Sequence, residues 1–154
     1  MNHRVVVWGT GNVGRPAIRA VASHQDLELV GVVVANPDKV GRDAGELAGI
    51  DPLGVNATDD TAVALDPAVD AVIYTASGDF RPDEAQRDLE ACLAAGVNVV
   101  STSFYGLLHP GSVPEALRAS VSGGCERGAS SVFVSGIAPG WALDILPLLV
   151  SGVC

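Results

Sequence analysis

Val6-Val7-Trp8-Gly9-Thr10-Gly11-Asn12-Val13-Gly14 decides the fold of this chain. An apolar run breaks into Gly-x-Gly-x-x-Gly, and an amphipathic stretch carrying Val13, Ala17, Ile18 and Val21 follows at once. The order is strand, tight turn, helix N-terminus. In that order Gly9 makes the turn, Gly11 lets backbone approach a phosphate, and Gly14 lets the helix pack against the strand. The first N–H groups of a helix have no partner within it, and the dipole behind them favours an anion. Gly9, Thr10, Gly11, Asn12, Val13 and Gly14 therefore form a candidate pyrophosphate cradle. The spacing alone is common; a strand before it and a helix after it give it meaning.

Outward from this turn, strand and helix alternate to the end of the chain. Val-rich runs at 4–8, 27–34, 71–75, 97–101 and 132–135 read as strands, with a weaker one near Val55. Their nearly unbroken apolar character suits parallel strands covered on both faces. Pro82 opens a helix whose apolar stripe is Ala85, Leu89, Cys92 and Leu93, and Gly96 stands where it should end. Ser112-Val113-Pro114-Glu115 has capping-box spacing ahead of Leu117, Val121 and Cys125. A further helix over 40–47 is weakened by Gly41 and Gly45. Right-handed crossovers restrict such a chain to a doubly wound sheet, with expected strand order 3-2-1-4-5-6. The fold class is α/β: a mostly parallel sheet of about six strands with helices on both faces, the NAD(P)-binding Rossmann arrangement.

Residues 1–140 make up the dinucleotide-binding unit. The stretch 141–154 is expected to be a helix leading towards a C-terminal substrate or dimerisation domain absent from this chain. It is apolar on most sides from Gly140 to Val150, is interrupted by Pro147, and needs something to bury it. The alternative is that it packs as the last cover helix of the sheet.

With 154 residues the chain can bury a real core, and 48% hydrophobic against 18% charged residues marks it as globular. A net charge of −9 argues against nucleic acid and anionic membrane as partners. A mean hydropathy of +0.34 is high for a self-sufficient domain and suggests apolar surface meant for a missing domain or a second copy of the chain. Cys92, Cys125 and Cys154 lack zinc-ligand spacing, so no metal is expected. Their odd number and the absence of a signal peptide point to a reducing cytoplasm.

Cofactor choice belongs at the end of the second strand, about 20 residues past the glycines. No carboxylate stands at the tip Ala35-Asn36-Pro37; Asp38 follows and is expected to cap the next turn. Asn36 can bond a ribose hydroxyl or a phosphate, and Lys39 and Arg42 can offer charge to a 2′-phosphate or remain solvated. NADP(H) is favoured, with NAD(H) possible. The other strand ends carry Thr75-Ala76-Ser77-Gly78, Ser101-Thr102-Ser103 and Ser135-Gly136-Ile137-Ala138. Of these, Thr75, Ala76, Ser101, Thr102, Ser103 and Gly136 are candidate cofactor contacts, although small strand-end residues also serve ordinary turns. Arg15 either reaches the pyrophosphate or is solvated. No catalytic residue can be assigned. His109 alone among the histidines has a route to the crevice, Tyr105 and Asp79 occupy similar loops, and all three also read as plain loop residues. Serine-hydrolase and P-loop motifs are missing.

Taken in order, these motifs resemble the N-terminal domain of the dihydrodipicolinate reductase family, nearest its 2,4-diaminopentanoate and amine dehydrogenase relatives. The residues that carry the likeness are Val6 to Gly14, Leu29-Val30-Gly31-Val32, the block from Pro37 to Leu47, Asp70 to Ala76, Gly96 to Ser103, and Ala138-Pro139-Gly140. The resemblance implies nicotinamide-dependent reduction of a C=N bond, or oxidation of an amine, on a small imine, amine or carbonyl substrate. It also implies that 101–103 and 135–138 border the nicotinamide. Where an acidic residue would hold the amine, this chain has Phe104-Tyr105. The reductases' substrate-binding histidine and lysine belong to a C-terminal domain with no counterpart here. The leading expectation is thus the NAD(P)H-binding part of an oxidoreductase on C=N or CH–NH2 groups, truncated and not catalytically complete alone. The alternative is a non-enzymatic NAD(P)-binding module associating with a partner chain.

Overall fold

The computed structural model describes residues 2–78 and 80–152, with Pro110 and Pro139 described by backbone alone. Asp79 and Cys154, both singled out in the sequence, lie outside the described residues. Six strands form one sheet: β1 (His3–Trp8), β2 (Leu27–Val33), β3 (Ala57–Thr58), β4 (Ala71–Tyr74), β5 (Asn98–Ser101) and β6 (Val132–Val134). Their order is β3-β2-β1-β4-β5-β6 and every pairing is parallel, as expected. The helices are α1 (Gly14–Ser23), α2 (Ala44–Ala48), α3 (Pro82–Ala94), α4 (Glu115–Gly128) and α5 (Leu146–Ser151).

β1 is central and buried on both sides, so it reads as a continuous apolar run. Val5 and Val7 face Ile18 and Val21 of α1 and Ala44 and Leu47 of α2. Val6 and Trp8 face the opposite layer, where Ala85, Leu89, Cys92 and Leu93 of α3 meet Val121 of α4. The α3 stripe is the one its period specified. Burial pushes the Cys92 thiol up to about 12, with the nearby Asp88 charge adding to the effect, so this cysteine is an inert core residue.

Three local expectations need correction. The segment 40–47 is not one helix. A 3-10 turn occupies Pro37–Lys39, and residues 41–44 pair with 55–57 through Gly41 N–H to the Ala57 carbonyl (2.7 Å), Ala57 N–H to Arg42 (2.9 Å) and Ala44 N–H to Val55 (2.8 Å). Asp43 then starts the short α2. Its carboxylate accepts from the N–H groups of Gly45 (2.7 Å), Leu53 (2.9 Å) and Gly54 (2.7 Å). Asn36 rather than Asp38 caps the 3-10 turn, its side chain accepting from Asp38 N–H at 2.9 Å. The capping box before α4 does not form. Ser112 ends a separate 3-10 turn, and its hydroxyl is 2.8 Å from His109 Nδ1.

The apolar tail is a π-helical stretch, Ile137–Ile145, running into α5, with Pro147 in the first turn of α5. It does not cover the sheet: Ile137 is 75% and Leu148 74% exposed. The sheet beside it is bare too, with Phe133 of β6 65% exposed opposite Val100 of β5. No helix among the described residues is long and apolar enough to cross a membrane.

Leu89→Ala, which empties a fully buried site in the α3 layer, should cost about 2–5 kcal/mol in urea unfolding. The backbone N–H donors of Leu53, Gly45 and Gly54 lower the Asp43 pKa. The stability this carboxylate contributes is therefore present above the usual aspartate pKa and lost as pH falls through the lowered one. The difference in Tm between the wild type and Asp43→Ala should be full at neutral pH and close progressively in acid.

Candidate functional site

The glycine bend is built as its three roles require. Gly9 has φ +106°, a conformation a side chain rarely adopts, and donates its N–H to the Val33 carbonyl at 2.9 Å. The Thr75 hydroxyl, at the end of β4, donates to the Trp8 carbonyl at 3.0 Å, and a Cβ on Gly9 would stand 2.8 Å from that hydroxyl oxygen. A Cβ on Gly14 would overlap the Gly9 carbonyl outright, so α1 rests directly on the end of β1. At Gly11 the opposite holds: nothing lies within 4 Å of where a Cβ would be. That open space is what an approaching phosphate needs.

The electrostatics agree with the sterics. No side chain caps α1, and its first turn holds no acidic residue, so nothing negative competes at its start. Arg15 N–H bonds the Gly11 carbonyl at 3.2 Å. The N–H groups of Asn12 and Val13, ahead of it, are left as donors for a ligand. These residues fit a bound diphosphate.

Lys39 leans onto the bend. Its Nζ donates to the Thr10 carbonyl (3.1 Å) and hydroxyl (3.0 Å), and Thr10 itself is buried. Lys39, Arg15, Arg19 and Arg42, with Glu46, line a cavity of about 250 Å³ between α1 and α2. Sequence reading missed Arg19. The signal was there: it lies four residues after Arg15 and so shares its face of α1. Asn36, at the β2 tip, uses its carboxamide oxygen as a cap, which leaves the Nδ2 donor for a ribose hydroxyl.

The other strand-end loops are laced to one another. Ser101 is 1% exposed; its hydroxyl donates to the Tyr74 carbonyl (3.0 Å) and accepts from Ser103 N–H (3.0 Å). Ser103 Oγ donates to the Ala76 carbonyl at 2.5 Å, Thr102 N–H to Tyr74 at 3.4 Å, and Ser135 N–H to Ser101 at 3.0 Å. The Gly136 carbonyl accepts from Trp141 N–H at 2.8 Å. Thr75, Ala76, Ser101, Thr102, Ser103 and Gly136 therefore converge at one end of the sheet, where Thr75 and Ser101 shape the backbone with hydroxyls already engaged.

Acid–base groups do not gather there. His3 lies 3.9 Å from Asp70, His24 accepts from Asp26 N–H, and His109 is turned to Ser112. Tyr105 is half exposed. Among the described residues no group of His, Cys, Asp or Glu is arranged to hold a metal ion. One polar pair, with Tyr74 buried and Asp88 half-buried, does stand out. The Tyr74 hydroxyl donates to Asp88 Oδ2 at 2.9 Å, and burial raises the pKa of both groups.

Sheet order, glycine bend and open strand ends together define a nicotinamide-dinucleotide-binding domain. The family model described as "Dihydrodipicolinate reductase, N-terminus" matches residues 3–104, and the chain belongs to that family. An amine dehydrogenase of Streptomyces virginiae is 52% identical over 149 residues, 96% of this chain and 41% of that protein. A 4-hydroxy-tetrahydrodipicolinate reductase of Anaeromyxobacter sp. (strain Fw109-5) is 45% identical over 103 residues, 65% of this chain and 36% of its own. Among solved structures, the amine dehydrogenase from Mycobacterium smegmatis superposes with a TM-score of 0.77 at 26% identity, covering 88% of this chain and 40% of that one. The chain thus spans less than half the length of these relatives.

Two substitutions separate the roles of the glycines. Gly14→Ala should cost about 1–3 kcal/mol of stability, because helix and strand must part. Gly11→Trp should change stability by about 0.5 kcal/mol or less yet abolish nucleotide binding. Urea unfolding and calorimetric titration of each variant check both.

Proposed function

We propose that this chain is the NAD(P)H-holding part of an oxidoreductase acting on C=N or CH–NH2 groups, with NADP(H) the preferred nucleotide. The observation that carries the preference is the basic cavity beside the glycine bend. The β2 tip lacks the carboxylate that would accept from a ribose 2′-OH and repel a 2′-phosphate, while Lys39 and Arg42 stand just beyond it. In this reading the N–H groups at the start of α1 bind the diphosphate, and Lys39 turns from Thr10 to the 2′-phosphate. Arg15, Arg19 and Arg42 keep that pocket positive. The loops 75–78, 101–103 and 135–138 border the nicotinamide, and Ser101 and Ser103 fix their spacing. When bound, the nucleotide supplies or accepts hydride.

The type of bond reduced is supported by the names of the relatives and by no acid–base group of this chain. Phe104, where an acidic residue was expected, is stacked on Tyr74 with ring centroids 5.4 Å apart, so it belongs to the packing under the loop. Recognition of an amine or imine then falls to other parts of a larger protein. The bare Phe133 face and the exposed tail 137–151 support a seat for such a part, with 141–154 leading into it. The same exposure suits the second reading, a nucleotide-binding module that works by associating with a partner chain.

Calorimetric titration should give tighter binding of NADPH than of NADH. Lys39→Ala and Arg42→Ala should each weaken NADPH by about five- to tenfold, one exposed charge-assisted contact, and leave NADH nearly unchanged. Tighter binding of NADH by the wild type would end the NADP(H) preference. Steady NADPH oxidation by the chain alone, with a panel of ketones and ammonia, would exclude the module reading.

A further inference from the structure

Of the two edges of the sheet, one is closed and one is open. β3 is two residues long, Asp59 and Asp60 follow it, and residues 41–44 take its outer backbone groups. Shortness, charge and a covering segment are the usual protections of an edge. β6 has none of them. It carries no charge, proline or bulge, and from Ala129 to Val150 the one charged residue is Asp144. Val99 N–H bonds the Ser131 carbonyl at 2.9 Å and Ser135 N–H bonds the Ser101 carbonyl at 3.0 Å, so the odd-numbered residues serve β5. The N–H and C=O groups of Val132 and Val134 therefore point outward along the open edge.

The surroundings of that edge are apolar and extensive. Phe133, Ile137, Trp141, Leu143, Leu148 and Leu149 are each more than half exposed. With their neighbours they present on the order of 1,000 Å² of apolar side chain, where a stable interface takes about 800 Å² from each partner. On the α4 side a cavity of about 440 Å³ lies beside the edge, walled by Val132 and Val134 and by Arg118, Ser122 and Glu126 of α4. Those three α4 residues are spaced four apart and share one face. It has a cation at one end, a hydroxyl in the middle and a carboxylate at the other end. Such a face complements a copy of itself run the opposite way.

We infer that β6 pairs with β6 of a second copy of this chain, antiparallel about a twofold axis at Phe133. Val132 of each strand then bonds Val134 of the other, which engages every outward group of both strands. Phe133 stands opposite Phe133 in the closely spaced pair, on the bare face beside Val100. Arg118 of each copy meets Glu126 of the other, while keeping Glu115 as its partner within α4. A contact with so little charge lets two chains of net charge −9 approach. Both copies use the same surface, so association closes at two. The inference gives the module reading above its partner chain, and it stands whether or not the chain binds nucleotide.

Analytical ultracentrifugation of the purified chain is the test. The wild type should sediment as a dimer at about 10 µM. Phe133→Lys sets like charges at the centre of the contact, and Val132→Pro removes an N–H that β5 does not use. Each should weaken association by about tenfold or more, with a far-UV circular dichroism spectrum matching the wild type. Arg118→Glu should weaken it by about three- to tenfold, and adding Glu126→Arg should restore it, because the swap rebuilds the cross-pair at the original net charge. NADPH affinity, read on the same samples, reports on the nucleotide reading separately. A wild type that stays monomeric to about 100 µM would overturn the inference and assign the face to a different protein or to a further part of a longer chain. Open-ended aggregates would overturn it too, as would a dimer untouched by Phe133→Lys and Val132→Pro. Failure of the double variant to recover would overturn the twofold register.

Discussion

The contact between Gly14 and the Gly9 carbonyl is the constraint on which the rest of the site depends. Helix α1 sits so close to the end of β1 that a single methyl group would part them. This closeness delivers the helix's unpaired N–H groups to the mouth of the sheet. β4 reinforces it, because the Thr75 hydroxyl ties its end to the Trp8 carbonyl. Loosening the contact by an ångström would turn the donors away from a common point, and the proposed diphosphate site would become ordinary helix surface.

Charge is distributed to match. The chain carries a net charge of −9, yet Arg15, Arg19, Lys39 and Arg42 gather on one side of the β2 tip. The first turn of α1 is free of carboxylates. A helix dipole contributes about 0.3–1 kcal/mol toward a single anion, too little for tight binding on its own. In the proposed reading, the side-chain cations of the cavity beside it supply what the dipole lacks. Across the tip the balance differs, with Asp59 and Asp88 lining a smaller cavity together with Arg81.

The sheet and its order were legible because each strand is a Val-rich run and each buried helix face keeps a regular period, as Ala85, Leu89, Cys92 and Leu93 do. The glycine bend was legible for the same reason: its roles follow from spacing. Readings failed where a local preference met a partner distant in sequence. Residues 41–44 did not become helix, because 55–57 took their backbone hydrogen bonds. Ser112 did not cap α4, because His109 drew its hydroxyl away. The strand-end loops were located as a group, but the engagement of Ser101 with Tyr74 leaves no trace in sequence spacing. Nor does the pairing of Tyr74 with Asp88, which joins a strand end to the second turn of a helix.

The central claim is that backbone amides at the start of α1 grip a diphosphate. An amide NMR titration of the isotopically labelled chain with NADPH addresses it residue by residue. The account predicts the largest shifts at Gly11, Asn12 and Val13, saturating together with those at the β2 tip. Shifts that saturate elsewhere while these three amides stay unmoved would contradict it.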